Sequence, residues 1–131
     1  MEGTRYNAHI LASVRSFYTK ETISAYTPTV ADKVSISTPT YDTLIEAMRR
    51  VVNNNDEVSR YFKNVPVTVG GKTGTAETGI PGSKDNALFT GFAPLDDPQI
   101  VVSCVIEDGQ HGYYASLAAA RVMEEYFKEK E

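Results

Sequence analysis

The stretch VGGKTGTAET, residues 69–78, decides how this sequence is interpreted. It places three glycines and three threonines around one lysine and one glutamate. Glycines and threonines beside a lysine occur in phosphate-binding loops. They also occur along a strand edge that carries few bulky side chains, so that an extended substrate can bind against it. The two alternatives require different residues around the stretch.

A phosphate-binding loop has the pattern G-x-x-x-x-G-K-[ST] and is followed at once by a helix. Gly71, Lys72 and Thr73 match the end of this pattern, but Pro66 stands where the first glycine is required. The residues that follow, GTAETGIPG at 74–82, contain three glycines and a proline and do not predict a helix. A nucleotide-binding loop is therefore disfavoured.

A strand edge fits the residue types better. The lysine carries a positive charge, and threonine hydroxyls are hydrogen-bond donors that suit a carboxylate. The stretch therefore favours an extended substrate with a negatively charged end. From residue types alone, a glycine-rich hairpin without a binding function remains an open alternative.

Composition limits the remaining possibilities. The 131 residues are 41% apolar and 23% charged, which is typical of one folded domain. The net charge of −4 gives no argument for nucleic acid binding. A single cysteine, Cys104, excludes an internal disulfide, and two distant histidines, His9 and His111, predict neither a metal site nor a cofactor. No apolar run approaches the length of a membrane span.

Helical periodicity is clear in two segments. Apolar residues recur with helical spacing from Tyr41 to Val52, with Thr38 as the expected N-cap, Pro39 at the first helical position, and an end at residues 53–55. Residues 57–62 predict one further helical turn. The second segment follows residue 112, with an apolar stripe formed by Ala119, Val122, Met123, Tyr126 and Phe127.

Strand patterns occupy five other segments: residues 9–17, 32–37, 65–77, 87–93 and 99–107. The last three are joined by short loops and predict an antiparallel meander. The last strand is apolar on both faces, so we expect it to be central, with a layer packed on each side. The predicted fold class is α+β, an antiparallel sheet packed with helices, in a single domain over residues 1–131.

Lys72-Thr73-Gly74 is the K-T-G element of penicillin-binding proteins and serine β-lactamases. The longer motif GKTGTAE, residues 71–77, resembles the transpeptidase domain of class B, monofunctional penicillin-binding proteins. The resemblance extends in the same order to GTRYNAHIL at 3–11, ALFTGFAP at 87–94, IVVSCVIEDG at 100–109 and HGYYASLAAARVMEEYF at 111–127. It implies the C-terminal part of that fold.

The resemblance also implies roles for four residues. Lys72 would hold positive potential near the nucleophile and the substrate carboxylate. Thr73 and Thr75 would bind the terminal carboxylate of a D-Ala-D-Ala stem peptide or of a β-lactam, and the Thr75 backbone N–H would donate to the oxyanion. Gly74 would keep the strand edge clear of a side chain. Glu77 receives no role.

Two other elements of the family are absent from the sequence. No serine stands three residues before a lysine, and no asparagine follows a serine or tyrosine by two positions, so the S-x-x-K and S-x-N motifs are missing. We interpret the chain as a truncated domain, with Met1 an added start, that lacks the nucleophile-bearing part and is inactive alone. The resemblance places the full-length protein at the extracytoplasmic face of the bacterial membrane, and we expect the fragment itself to be soluble.

Truncation would uncover one edge and one face of the sheet, so we expect self-association or a loosened N-terminal third. The expected partners are peptidoglycan stem peptides, β-lactams and the missing part of the same domain. Two alternatives remain. The chain could be the end of a β-lactam sensor or β-lactamase, or a non-catalytic binding module derived from this fold.

Overall fold

The computed structural model describes residues 3–129, which form two compact units. One unit ends at Thr40 and the other begins at Tyr41. The first unit contains two antiparallel two-stranded sheets, and none of its described residues is fully buried. The second unit contains the hydrophobic core and the K-T-G motif. Whether the chain is a single domain stays a prediction.

The first unit has four short strands: β1 (Thr4–Tyr6), β2 (Ser13–Arg15), β3 (Thr22–Ala25) and β4 (Val30–Lys33). Strand β1 pairs with β4, and β2 pairs with β3. The strands expected over residues 9–17 and 32–37 therefore overlap β2 and β4 only in part. The alternation of apolar and polar residues did not predict the ends of these strands. Both faces of β2 and β4 are exposed, so no buried face determines where each strand begins and ends.

Helix α1 spans Thr38–Asn53, and the short helix α2 spans Asp56–Ser59. The N-cap of α1 is Ser37 and not Thr38, because the Ser37 hydroxyl accepts a hydrogen bond from the Thr40 N–H at 3.4 Å. The expected end at residues 53–55 is confirmed. Asn55 caps α2, since its side chain accepts from the Glu57 N–H at 3.0 Å.

The sheet of the second unit has three strands, β5 (Gly70–Ala76), β6 (Asn86–Ala93) and β7 (Ile100–Ile106). They form the expected antiparallel meander in the order β5-β6-β7. Strand β5 begins at Gly70 and not at residue 65, and the preceding Val65 and Val69 are buried in the core.

The expectation that the last strand is central is wrong. Strand β6 is central, and β7 lies at an edge with alternate residues half-buried and exposed. Val101 and Val105 point to the exposed face, with 60% and 58% of their surface accessible. An apolar strand can therefore lie at the edge of a sheet. The apolar residues of a strand indicate that burying them is favourable, but they do not determine its position in the sheet.

Helix α3 (Gly112–Lys128) covers the other face of the sheet, as expected. Its buried side includes Ala115, Ala119, Met123 and Phe127, which recur every four residues. Val122 of the expected stripe is instead half exposed. These side chains pack against Phe89 of β6, which is fully buried, so the core lies between α3 and one face of the sheet.

Candidate functional site

The K-T-G motif lies in the middle of β5, an edge strand of its sheet. Among the described residues, β5 pairs with β6 alone, from Gly70 opposite Phe92 to Ala76 opposite Asn86. An edge strand presents alternate backbone N–H and C=O groups away from the sheet, where an extended peptide can pair with them. The position of the motif therefore suits the binding of an extended substrate.

Successive side chains of a strand point to opposite faces, and this divides the four predicted site residues into two pairs. Thr73 lies opposite the buried Phe89, so Thr73 and Thr75 occupy the face that carries α3. Lys72 and Gly74 occupy the other face. The structure thus brings the two threonines together on one face and places the lysine across the strand from them.

Lys72 is exposed and folds along its own strand. Its Nζ donates a hydrogen bond to the backbone oxygen of Thr73 at 2.7 Å. An ammonium group has three N–H donors, so two remain for other acceptors. The side chain places a positive charge beside the K-T-G backbone without an ion-pair partner among the described residues.

Gly74 faces open space apart from one neighbour. A Cβ atom added to Gly74 would lie 3.4 Å from the Leu88 Cβ, which is ordinary van der Waals contact. The packing of this chain therefore does not require glycine at this position. A requirement for glycine would have to come from something that approaches the strand from outside, as the family resemblance implies.

The Thr75 hydroxyl is held by the first residue of α3. The backbone N–H of Gly112 donates to Thr75 Oγ1 across 3.4 Å, a long hydrogen bond. A hydroxyl has two acceptor lone pairs and one donor proton. Because Gly112 uses one lone pair, the Thr75 proton remains available to donate to a ligand carboxylate.

Gly112 packs directly on the K-T-G backbone. A Cβ added to Gly112 would collide with the Gly74 carbonyl oxygen and would lie 2.9 Å from the Gly74 nitrogen. Glycine is therefore required at the start of α3 because the helix approaches β5 backbone to backbone. This contact fixes the distance between the helix N-terminus and Thr75.

Aromatic rings surround the start of α3. The His111 ring stacks on Tyr113 with centroids 5.3 Å apart, and the Tyr113 and Tyr114 rings are 4.5 Å apart. A hydrogen bond with the Tyr114 side chain, followed by burial, raises the pKa of Tyr113 to about 12. Tyr113 is therefore a neutral hydroxyl at neutral pH and supplies no charge to the site.

Other kinds of site find little support in the described residues. Between residues 3 and 129 no three metal-ligating side chains lie close enough to hold an ion. No helix in that range is long and apolar enough to cross a membrane. The loop after β5, residues 77–85, contains no helix, which agrees with the rejection of a phosphate-binding loop.

Comparison with known proteins identifies the family. The sequence matches the penicillin-binding protein transpeptidase domain over residues 1–128. The chain belongs to this family. Its α+β fold and the expected resemblance to class B penicillin-binding proteins are thereby confirmed.

Three relatives illustrate the match. Stage V sporulation protein D of Bacillus subtilis is 33% identical over 110 residues, which are 81% of this chain and 17% of that protein. Peptidoglycan D,D-transpeptidase MrdA of Acinetobacter baumannii is 33% identical over 92 residues, 60% of this chain and 13% of that protein. The structure of penicillin-binding protein 2B of Streptococcus pneumoniae has a TM-score of 0.74 at 26% identity, and the match covers 98% of this chain and 22% of that one. The chain thus spans less than a quarter of each relative's length.

Two residues of the candidate site were not predicted from the sequence. Gly112 supplies the N–H that meets Thr75, and Asp108 fixes the turn before it. Gly112 is 37 residues from Thr75 in the sequence, so no local pattern connects them. The turn-forming run EDGQHG at 107–112 was the one available signal, because a helix N-terminus presents unpaired N–H groups.

Proposed function

We propose that this chain forms the K-T-G wall of the active site in a peptidoglycan D,D-transpeptidase. In this proposal Thr73 and Thr75 donate hydrogen bonds to the terminal carboxylate of a D-Ala-D-Ala stem peptide or of a β-lactam. Lys72 supplies positive potential, and the Thr75 backbone N–H is one donor of the oxyanion hole. Gly74 leaves room for the substrate backbone to approach the strand.

One observation carries this proposal: the Thr75 hydroxyl accepts from Gly112, which leaves its proton available to donate, beside a strand edge that is unpaired among the described residues. Hydrogen bonds to a charged group contribute about 1.5–3 kcal/mol each. Two threonine hydroxyls and a nearby lysine therefore supply specificity for a carboxylate over a neutral end group. The packing tolerance at Gly74 supports the same conclusion, since the chain's own packing would accept a Cβ atom at this position.

Catalysis needs a nucleophile that this chain does not carry in the family's pattern. An acyl-enzyme forms when an activated nucleophile attacks the substrate carbonyl, and in this family the nucleophile is the serine of S-x-x-K. The sequence has no S-x-x-K serine, so the chain binds but does not turn over substrate by itself. A complete active site therefore needs the part of the same transpeptidase domain that carries this serine. By analogy with the family, the complete enzyme works at the extracytoplasmic face of the bacterial membrane.

Equilibrium binding tests the carboxylate proposal. N-acetyl-D-alanyl-D-alanine and its C-terminal amide differ only in the charge of the end group. We expect weak but measurable calorimetric binding of the acid and at least tenfold weaker binding of the amide, about 1.4 kcal/mol or more. Equal binding of both compounds, or of neither, would overturn the proposal.

Labelling with a fluorescent penicillin, read on a denaturing gel, tests the absence of a nucleophile. We expect the chain alone to stay unlabelled at concentrations that label a complete class B penicillin-binding protein run beside it. A covalent band on this chain would show that it carries an unrecognised nucleophile.

A further inference from the structure

The turn between β7 and α3 is tied to the loop between β5 and β6 by one side chain, Asp108. Its Oδ1 atom accepts hydrogen bonds from the Ser83 hydroxyl at 2.8 Å and from the Lys84 N–H at 2.9 Å. The Asp108 N–H donates to the Asn86 side-chain oxygen at 3.1 Å. Asp108 therefore makes three hydrogen bonds to Ser83, Lys84 and the first residue of β6, Asn86, which lie more than twenty residues earlier in the chain.

The backbone of the turn needs this support. Asp108 and Gln110 have φ angles of 53° and 66°, in the left-handed region that residues with a Cβ rarely adopt. The Gln110 N–H donates to the Asp85 oxygen at 2.7 Å, and the His111 N–H donates to the Gly109 oxygen at 2.8 Å. Unfavourable backbone angles persist only where the surrounding contacts hold them.

The same turn ends at the residue that contacts the candidate site. Gly112 directly follows His111, packs on the Gly74 backbone and donates its N–H to Thr75 Oγ1. The position of this N–H depends on the path of the chain from Asp108 to His111. A small shift of the turn would change or break a hydrogen bond that is already 3.4 Å long.

We propose that Asp108 is a positioning residue for the K-T-G site. By tying the turn to the β5–β6 loop, it sets where the Gly112 N–H meets the Thr75 hydroxyl and thus the direction in which Thr75 donates its proton. Asp108 itself does not contact the ligand. This inference rests on the proposed carboxylate-binding role of Thr75 and adds the residue that orients it.

The charge state of Asp108 agrees with this role. Hydrogen bonds from the Ser83 hydroxyl and the Lys84 backbone N–H, aided by the Lys84 charge, lower the pKa of Asp108 below its ordinary range. Asp108 is therefore an ionised acceptor at neutral pH. The two donors bind a full negative charge, and such hydrogen bonds are stronger than those between neutral groups.

Amide hydrogen exchange on the full chain, read by NMR, tests the proposal without any ligand. In Asp108→Ala we expect the Gly112 amide to exchange about tenfold faster relative to the Val102 amide in β7, because the loss of charge-assisted hydrogen bonds frees the turn. The Thr75 side chain should also lose its single rotamer, measured from its three-bond couplings. Asp108→Asn keeps an acceptor oxygen, so the Gly112 exchange rate and the Thr75 rotamer should both lie between those of the parent chain and of Asp108→Ala.

Two further variants provide a control and a milder alternative to Asp108→Ala. Asp97→Ala removes an exposed carboxylate from the β6–β7 loop and should leave Gly112 and Thr75 unchanged. If Asp108→Ala fails to fold, Ser83→Ala removes one hydrogen bond from an exposed loop residue and should give a smaller acceleration at Gly112. Unchanged Gly112 exchange and an unchanged Thr75 rotamer in the folded variant would overturn the proposal.

Titration with N-acetyl-D-alanyl-D-alanine separates this inference from the proposed function. We expect Asp108→Ala to bind the ligand several-fold more weakly than the parent chain. If the parent chain binds nothing, the proposed function fails, while the exchange and rotamer data still decide whether Asp108 positions Thr75. If Thr75 is released but affinity is unchanged, its direction does not matter for binding and the positioning role is overturned.

Discussion

Two glycines that contact each other, Gly74 and Gly112, have opposite tolerance to a side chain. A Cβ at Gly74 meets only Leu88 at an ordinary distance, whereas a Cβ at Gly112 collides with the Gly74 backbone. The first glycine is thus free of structural demands from this chain, and the second is required by the approach of α3 to β5. Alanine substitution at each glycine can therefore distinguish a role in ligand binding, expected for Gly74, from a role in packing, expected for Gly112.

We expect Gly74→Ala to fold with nearly unchanged stability but to bind N-acetyl-D-alanyl-D-alanine more weakly, because the added methyl group faces the approaching ligand. Gly112→Ala should lower the free energy of unfolding by about 1–3 kcal/mol, as overpacking usually does. Urea denaturation and calorimetry measure the two effects. Destabilisation by Gly74→Ala as large as that by Gly112→Ala would contradict this assignment.

The Thr75 hydroxyl can be removed without a change of shape. Thr75→Val should weaken binding of the acid ligand by about tenfold or more, since a hydrogen bond to a charged group is lost. It should leave binding of the amide ligand nearly unchanged. Thr90→Val is the matched control, because Thr90 lies on the opposite face of the same sheet and contacts Ser103 at 3.0 Å. Equal losses in both variants would show that the hydroxyl has no specific role.

At the scale of the elements, α3 carries an ion network around a buried carboxylate. Glu124 accepts from Lys128 Nζ at 3.0 Å and from Arg121 Nη1 at 2.7 Å, one helical turn away on either side. These hydrogen bonds, Lys128 first, lower the pKa of Glu124 below its ordinary value of 4.5. A carboxylate with a lowered pKa stabilises the fold at neutral pH and loses that effect as the pH falls through the folded-state pKa.

We therefore expect Glu124→Gln to lower the melting temperature at neutral pH. The difference from the parent chain should shrink as the pH falls from 4.5 through the lowered folded-state pKa, because Glu124 takes up its proton first in the unfolded chain and then in the folded one. Glu125→Gln is the control on the same helix, since Glu125 is exposed and pairs with Lys128 at 3.0 Å. A difference that grows towards acid pH would contradict the assignment.

Sequence periodicity predicted β5, β6, β7 and α3 well because each packs one face on the shared core, whereas in α1 only Val52 is buried among the described residues. The stripes of α1 and α3 and the three strands of the meander follow directly from apolar spacing and turn residues. The position of β7 did not follow, since Val101 and Val105 are apolar but exposed. For the candidate site, GKTGTAE led to the prediction of Lys72, Thr73, Gly74 and Thr75, which stays a prediction. The contacts of Gly112 and Asp108 span 22 to 37 residues and could not be read from any local pattern.

At the scale of the whole molecule, burial is distributed unevenly. All core side chains lie between Val52 and Phe127, whereas the first unit exposes large apolar side chains such as Phe17 and Tyr18, at 79% and 90%. Local stability follows buried apolar contacts. We expect limited trypsin digestion to cut first at Arg15 or Lys20 and to leave residues 41–129 largely protected. Initial cleavage at Arg121 of α3 would contradict this.

The exposed face of β7, and its edge that pairs with no strand among the described residues, make self-association the expected behaviour at high concentration. We expect sedimentation velocity to show concentration-dependent association that Val101→Lys and Val105→Lys reduce, because a charge on an exposed strand face opposes pairing. Val122→Lys, at a half-exposed position on α3, should have little effect. A strictly monomeric chain at all concentrations would refute the expectation.

The most direct test of the central claim is to map where the ligand binds. Titration of the isotope-labelled chain with N-acetyl-D-alanyl-D-alanine, followed by amide NMR shifts, reports the site residue by residue. We predict that the largest shifts fall at Lys72, Thr73, Gly74 and Thr75, with a smaller shift at Gly112, and that all of these shifts are clearly reduced in the Thr75→Val variant at the same ligand concentration. Largest shifts outside β5, or shifts in β5 that are undiminished in Thr75→Val, would contradict the account.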